Sequence, residues 1–114
     1  EDTKAGTTGA DIIYTDIWVS MGESYDLFGE RIAMLSPYRV TKELMENAGE
    51  QCRFMHCLPA FHDFNTEVTK TSGALEVTDE VFESKYSKVF DESENRMHTI
   101  KALFVSALCD RKTI

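Results

Sequence analysis

The stretch Ala10-Asp11-Ile12-Ile13-Tyr14-Thr15 runs directly into Asp16-Ile17-Trp18-Val19-Ser20-Met21-Gly22. The first part is a short apolar run that reads as a buried strand, and its continuous character suits a sheet covered on both faces. The second part, which carries Asp16 and Ser20 and closes on a glycine, then lies at the strand's C-terminal end. In open α/β sheets that is where ligands sit.

Reading outward, Tyr25 to Leu35 places Phe28, Ile32 and Leu35 on one face at helical spacing, and Pro37 ends that helix. Thr41 is a natural N-cap for a second helix, with Gly49 just past its end. Arg53 to Cys57 reads as another short buried strand, terminated by Leu58-Pro59, and a weaker third strand is expected around Leu75 to Val77. Thr78-Asp79-Glu80 opens a helical turn carrying Val81 and Phe82. Asn65 to Gly73 is polar and turn-prone, so it reads as an exposed connection. The last helix is the clearest element, because Met97, Ile100, Leu103, Phe104, Ala107 and Leu108 form one apolar stripe. Strand–helix alternation predicts an α/β fold, part of a doubly wound, Rossmann-like parallel sheet with helices on both faces, ending in a long amphipathic helix. Two firm strands make that sheet incomplete.

The bulk properties agree. At 114 residues the chain fits one domain, and its hydrophobic content of 42% is enough to build a core. With 12 basic against 20 acidic residues the formal charge is −8, which argues against nucleic acid and anionic membrane as partners. No apolar run reaches the roughly 18 residues of a transmembrane helix. Cys52, Cys57 and Cys109 are an odd set without a CxxC pair, which suits a reducing compartment. A soluble intracellular domain is expected. The N-terminus at Glu1 lacks an initiator Met, so the natural start is expected to be absent.

Three places carry chemistry-bearing residues. Asp16, Ser20 and the backbone N–H of Met21 offer a carboxylate, a hydroxyl and a free donor near one strand end, a set that can hold a zwitterion. The plainer reading is a turn in which Asp16 and Ser20 satisfy local backbone donors. Cys57 follows the second strand, so its thiol can point into the same cleft, or it can be an inert small hydrophobe. Arg96, read as lying at the start of the last helix, can project toward phosphate or a polarised carbonyl, or can be an exposed partner of Glu92. His56, Cys57 and His62 fit no standard zinc spacing. No metal is expected, and His56 reads as a hydrogen-bonded structural histidine.

Four segments together carry a resemblance. Tyr14 to Gly22 resembles the ornithine-binding loop of ornithine carbamoyltransferases, and Phe54-Met55-His56-Cys57-Leu58-Pro59-Ala60-Phe61-His62 resembles their HCLP segment. Glu76 to Ser84 and Glu94-Asn95-Arg96-Met97-His98-Thr99-Ile100-Lys101-Ala102 resemble their last two signature stretches, in the family's order. The resemblance implies a transferase of arginine metabolism that moves a carbamoyl group from carbamoyl phosphate to the side-chain amine of L-ornithine, giving citrulline and phosphate, or runs the reverse catabolic reaction. It implies that Asp16 holds the α-amino group of ornithine beside Cys57. Ser20 and the Met21 N–H would bind the amino-acid end, and Cys57 and the Leu58 carbonyl would line the reacting centre. Arg96 would polarise the carbamoyl oxygen or touch phosphate.

No cofactor is implied. A homotrimer or a higher assembly of trimers is, in the cytoplasm or alternatively the mitochondrial matrix. Residues 1–114 would be a partial ornithine-binding (C-terminal) domain. The carbamoyl-phosphate half, with its Ser-Thr-Arg-Thr-Arg motif, is missing, and the Thr66 to Gly73 connection is shorter than the family's. The fragment alone is expected to be inactive. A relative that carbamoylates another amine, such as putrescine, departs at Ser-Met-Gly, whereas Ser20-Met21-Gly22 is intact. A non-catalytic amino-acid-binding module of the same fold would need neither Cys57 nor Arg96. Gly22 and the polar Glu23-Ser24 further predict that Asp16 to Gly22 closes over the substrate as a lid.

Overall fold

Asp2 opens the first helix, α1 (Thr3–Thr7), by accepting the Ala5 N–H on its side-chain oxygen at 3.0 Å. The computed structural model describes residues 1–20 and 22–109. Strand β1 (Ile12–Thr15) follows, then α2 (Leu27–Leu35), which starts two residues later than Tyr25 and runs into a single 3₁₀ turn, Ser36–Tyr38, around Pro37. Thr41 caps α3 (Lys42–Ala48), its hydroxyl accepting the Leu44 N–H, and the helix ends at Gly49. Asn47 on α3 donates to the Lys4 carbonyl and to the hydroxyls of Thr7 and Thr8, tying α1 to α3.

Strand β2 (Arg53–His56) lies parallel to β1 in the register Ile12–Arg53, Ile13–Phe54, Tyr14–Met55 and Thr15–His56. Its other edge is bridged at Phe54, which donates to the Tyr86 carbonyl and accepts from the Lys88 N–H. Strand alternation sends Ile13 and Phe54 to one face. There they pack with Val40, Met45, Ala48 and Cys52, and with Val81 and Phe82 of α5 (Asp79–Phe82). Phe54 is fully buried at the centre.

The opposite face differs from the sequence reading. Ile12 and Tyr14 remain 55% and 54% exposed, so β1 is covered on one face only. An apolar run reports that a segment is able to be buried; what covers it has to come from elsewhere. The expected third strand, Leu75 to Val77, is fully buried but makes a single parallel bridge, Val40 to Val77. Asn65 to Gly73 is likewise more than a connection. It contains α4 (Thr69–Ser72), with Thr69 fully buried and its hydroxyl exchanging backbone hydrogen bonds reciprocally with Thr66.

The last helix, α6 (Val89–Leu108), is 20 residues long and buries only Val89. Its stripe is amphipathic as read, yet Met97, Leu103, Phe104 and Leu108 are each at least 60% exposed. The radius of gyration is 17.2 Å, against roughly 13 Å for a compact domain of this length. No helix among the described residues is long and apolar enough to cross a membrane. A patch of this kind favours association. The isolated chain is therefore expected to aggregate or to melt without a sharp transition in calorimetry. A cooperative transition of a monomeric sample would contradict this.

Candidate active site

The parallel register ends both strands at one level, Thr15 opposite His56, so the next residues, Asp16 and Cys57, leave the sheet side by side. The Cys57 thiol donates to Asp16 Oδ1 at 2.9 Å, and the same oxygen accepts the Ile17 N–H at 2.7 Å. Asp16 caps its own turn, as the plainer reading has it, and it also faces the thiol. The thiol and, after it, the Ile17 N–H hold the Asp16 carboxyl below the ordinary carboxylate range. Burial pushes the Cys57 thiol up, and the hydrogen bond and charge of Asp16 push it further. Cys57 is therefore a protonated donor at neutral pH beside an ionised carboxylate, which is the wrong state for a thiolate nucleophile.

Cys57 opens onto a cleft of about 580 Å³ between the strand ends and α6, lined also by Tyr14, Met55, Glu92 and Arg96. Arg96 is not at the start of α6 but two turns inside it, since the helix begins at Val89. It makes no ion pair among the described residues, because its expected partner is engaged elsewhere: Glu92 Oε2 accepts the His56 backbone N–H at 3.1 Å. Glu94 faces His98 at 3.6 Å, and Lys88 pairs with Asp91 at 3.0 Å. The structure thus brings Cys57 and Arg96 to one cleft, with Asp16 behind the thiol rather than on the lining, and leaves a guanidinium able to meet an oxyanion or a phosphate. Tyr14, which sequence reading treated only as a strand residue, stands beside them. Burial, the Glu92 charge and Cys57 push its hydroxyl up to about 12.

The Ser20 side of the site is held by other means. Trp18 and Val19 are 7% and 4% exposed, so the first half of the expected lid is anchored in the protein. Arg31 donates to the Trp18 carbonyl and pairs with Glu23 at 3.3 Å. Glu23 Oε2 in turn accepts the Ser20 N–H at 2.6 Å. Gly22 has φ 94°, a conformation that favours glycine. Ser20 is exposed and does not line the cleft, and Met21 lies outside the described residues.

Leu58 follows Cys57 with φ 52°, a left-handed backbone that costs a leucine about 1–2 kcal/mol. Its N–H donates to His56 Nδ1 at 2.9 Å. His56 is the structural histidine the sequence suggested: buried, with Nε2 3.2 Å from Glu76 Oε1. Glu76 itself escaped notice, although a lone acid between Leu75 and Val77 in a buried run was its signal. His62 does not join His56 and Cys57. It stacks on Phe82 and pairs with Asp79, and with Glu83 these form a set of three possible ligand atoms within 4.8 Å at the surface.

Comparison with known proteins gives the family. Residues 1–107 match the family described as aspartate/ornithine carbamoyltransferase, Asp/Orn binding domain. A catabolic ornithine carbamoyltransferase of Treponema denticola is 53% identical over 115 residues, covering 96% of this chain and 34% of the relative. One from Bacillus licheniformis is 54% identical over 116 residues, with the same two shares. The chain thus spans about a third of the length of the curated relatives it matches. Among solved structures, ornithine carbamoyltransferase from Pyrococcus furiosus superposes with a TM-score of 0.74 at 38% identity, covering 91% of this chain and 29% of that one. Ornithine transcarbamoylase from Giardia lamblia gives 0.75 at 29% identity, with shares of 96% and 30%.

The thiol–carboxylate pair has a signature in pH. A thiol raised by burial and by Asp16 stays protonated above the ordinary cysteine range, so its alkylation sets in late as pH rises. In the full chain with Cys109→Ser, the pH profile of Cys57 alkylation is expected to lie above that of a free cysteine. It is expected to move down when Asp16→Asn removes the negative neighbour. An unmoved profile would mean that Asp16 does not act on the thiol.

Proposed function

This chain belongs to the aspartate/ornithine carbamoyltransferase family, as the Asp/Orn binding domain, and from that premise we propose that it supplies the ornithine side of an enzyme transferring a carbamoyl group from carbamoyl phosphate to L-ornithine. The products are citrulline and phosphate. The carbamoyl-phosphate side comes from a separate domain that precedes this one in a longer polypeptide. The names of the bacterial relatives favour the catabolic direction, phosphorolysis of citrulline, as the one that the enzyme serves.

The observation that carries the reading is the 2.9 Å contact of Cys57 with Asp16 on a cleft shared with Arg96. The ionised Asp16 binds the ornithine α-ammonium as a charge-assisted partner. The Cys57 proton is directed at Asp16, which turns the sulfur lone pairs toward the side-chain amine and lets the pair accept a hydrogen bond from it. That amine has an ordinary pKa near 10 and attacks only when neutral. As its lone pair adds to the carbamoyl carbon, negative charge grows on the carbamoyl oxygen, where Arg96 stabilises it. The carbon–oxygen bond to phosphate then breaks, and the nitrogen loses its proton through the thiol–carboxylate pair or to the departing phosphate. The resemblance gives the substrate carboxylate to Ser20 and the Met21 N–H, which requires Ser20 to move onto the cleft that it does not line here, and it sets the Leu58 carbonyl at the reacting centre.

Retained Ser20-Met21-Gly22 supports ornithine over a diamine, which has no carboxylate for that segment to bind. The exposed stripe of α6 and the bare face at Ile12 and Tyr14 support burial against the companion domain and further subunits. The resemblance of the four segments extends the proposal to a homotrimer or an assembly of trimers in the cytoplasm. Steady-state kinetics of the full-length protein test the reading. Cys57→Ala and Asp16→Asn are expected to lower kcat while leaving carbamoyl-phosphate affinity close to unchanged. Arg96→Ala is expected to lower kcat by roughly a hundred-fold or more. Unchanged kcat with lost carbamoyl-phosphate binding in the first two variants would overturn the assignment.

A further inference from the structure

Among the described residues, the most deeply buried acidic side chain does not face the cleft. Glu76 is fully buried, and its Oε1 accepts the Phe61 N–H at 2.7 Å while standing 3.2 Å from His56 Nε2. Its Oε2 has no partner among the described residues. One carboxylate oxygen therefore holds both ends of the segment His56 to Phe61, which contains Cys57 and Leu58. An unpaired buried oxygen is a poor way to gain stability, so the carboxylate has another use.

The hydrogen bonds fix what that use is. The Leu58 N–H is a donor, so His56 Nδ1 must present a lone pair to it at 2.9 Å. The ring proton then sits on Nε2, and a carboxylate, which accepts only, is the partner that demands it there. We propose that Glu76 is a positioning residue for the reacting centre: it holds His56 in the Nε2–H tautomer, so that Nδ1 fixes the Leu58 backbone in its left-handed conformation beside Cys57, and with it the placement of the Leu58 carbonyl. Glu92, accepting the His56 backbone N–H, secures the same residue from α6. This inference rests on the functional reading above for the role of the Leu58 carbonyl, but not for the tautomer.

Two measurements test it on the full-length protein. Nitrogen-15 chemical shifts of the His56 ring are expected to show Nδ1 unprotonated and Nε2 protonated; a protonated Nδ1 overturns the proposal whatever the enzyme does. In kinetics, Glu76→Ala is expected to lower kcat by roughly ten-fold to a hundred-fold through misplacement, with KM for carbamoyl phosphate unchanged. Glu76→Gln, which still offers an acceptor to both donors, is expected to recover most of that loss. Should Glu76→Ala fail to fold, His56 variants decide. His56→Asn places an acceptor where Nδ1 meets the Leu58 N–H and is expected to retain more kcat than His56→Leu. Equal losses in that pair, or no rescue by Glu76→Gln, overturn the positioning role. If the unsubstituted protein carbamoylates no ornithine, the functional reading fails, and the ring shifts alone decide the tautomer.

Discussion

The parallel pairing of β1 with β2 is the constraint on which the rest depends. Two strands of four residues each, locked at Ile13 and Phe54, bring their C-terminal ends level, and the chain has no choice about what comes next. Asp16 and Cys57, 41 residues apart in sequence, become neighbours at hydrogen-bond distance. A shift of one residue in this register would turn Phe54 out of the core, so the burial of that ring defends the geometry of the site. Core packing and active-site placement are the same requirement here.

Electrostatics at the cleft follow from how carboxylates are distributed. Asp16 keeps its charge because a thiol and a backbone donor stabilise it, and burial first, then the Asp16 hydrogen bond and charge, raise the thiol in turn. Glu92 is spent on the His56 backbone, which leaves Arg96 unpaired among the described residues, two turns into a helix that faces the strand ends. A guanidinium paired with Glu92 across one helical turn would have been a surface feature worth a few tenths of a kcal/mol. Diverted from that pair, it is available to charge that forms during reaction. Glu76 and Glu23 do similar work on the backbone, at Phe61 and Ser20 respectively, so that four acidic side chains hold this corner of the fold in place.

Local chemistry was the part most legible in the sequence. The Thr41 cap, the end of α3 at Gly49 and the stripe of α6 are set by interactions within a few residues, and each was read correctly. Asp16, Cys57 and Arg96 were also singled out; the fold puts Asp16 against Cys57, and Cys57 and Arg96 on one cleft. What the sequence concealed were facts about neighbours distant in the chain. That Ile12 and Tyr14 would be bare depends on what packs over β1, and Thr69 is buried because Thr66 satisfies it, though both lie in a polar tract. Arg96 was misplaced because α6 starts earlier than its apolar stripe, in the acidic turn Asp91-Glu92. Glu76 stood in plain view between two apolar residues; its meaning depended on His56, 20 residues earlier.

The central claim is that Asp16 and Cys57 act as one unit, created by strand register. A double-mutant cycle on kcat of the full-length protein, using Asp16→Asn, Cys57→Ala and the two combined, measures that coupling directly. If the residues work as a pair, the double variant is no slower than the worse single variant. If their losses multiply as those of independent residues do, the two act separately and the account of the site is wrong.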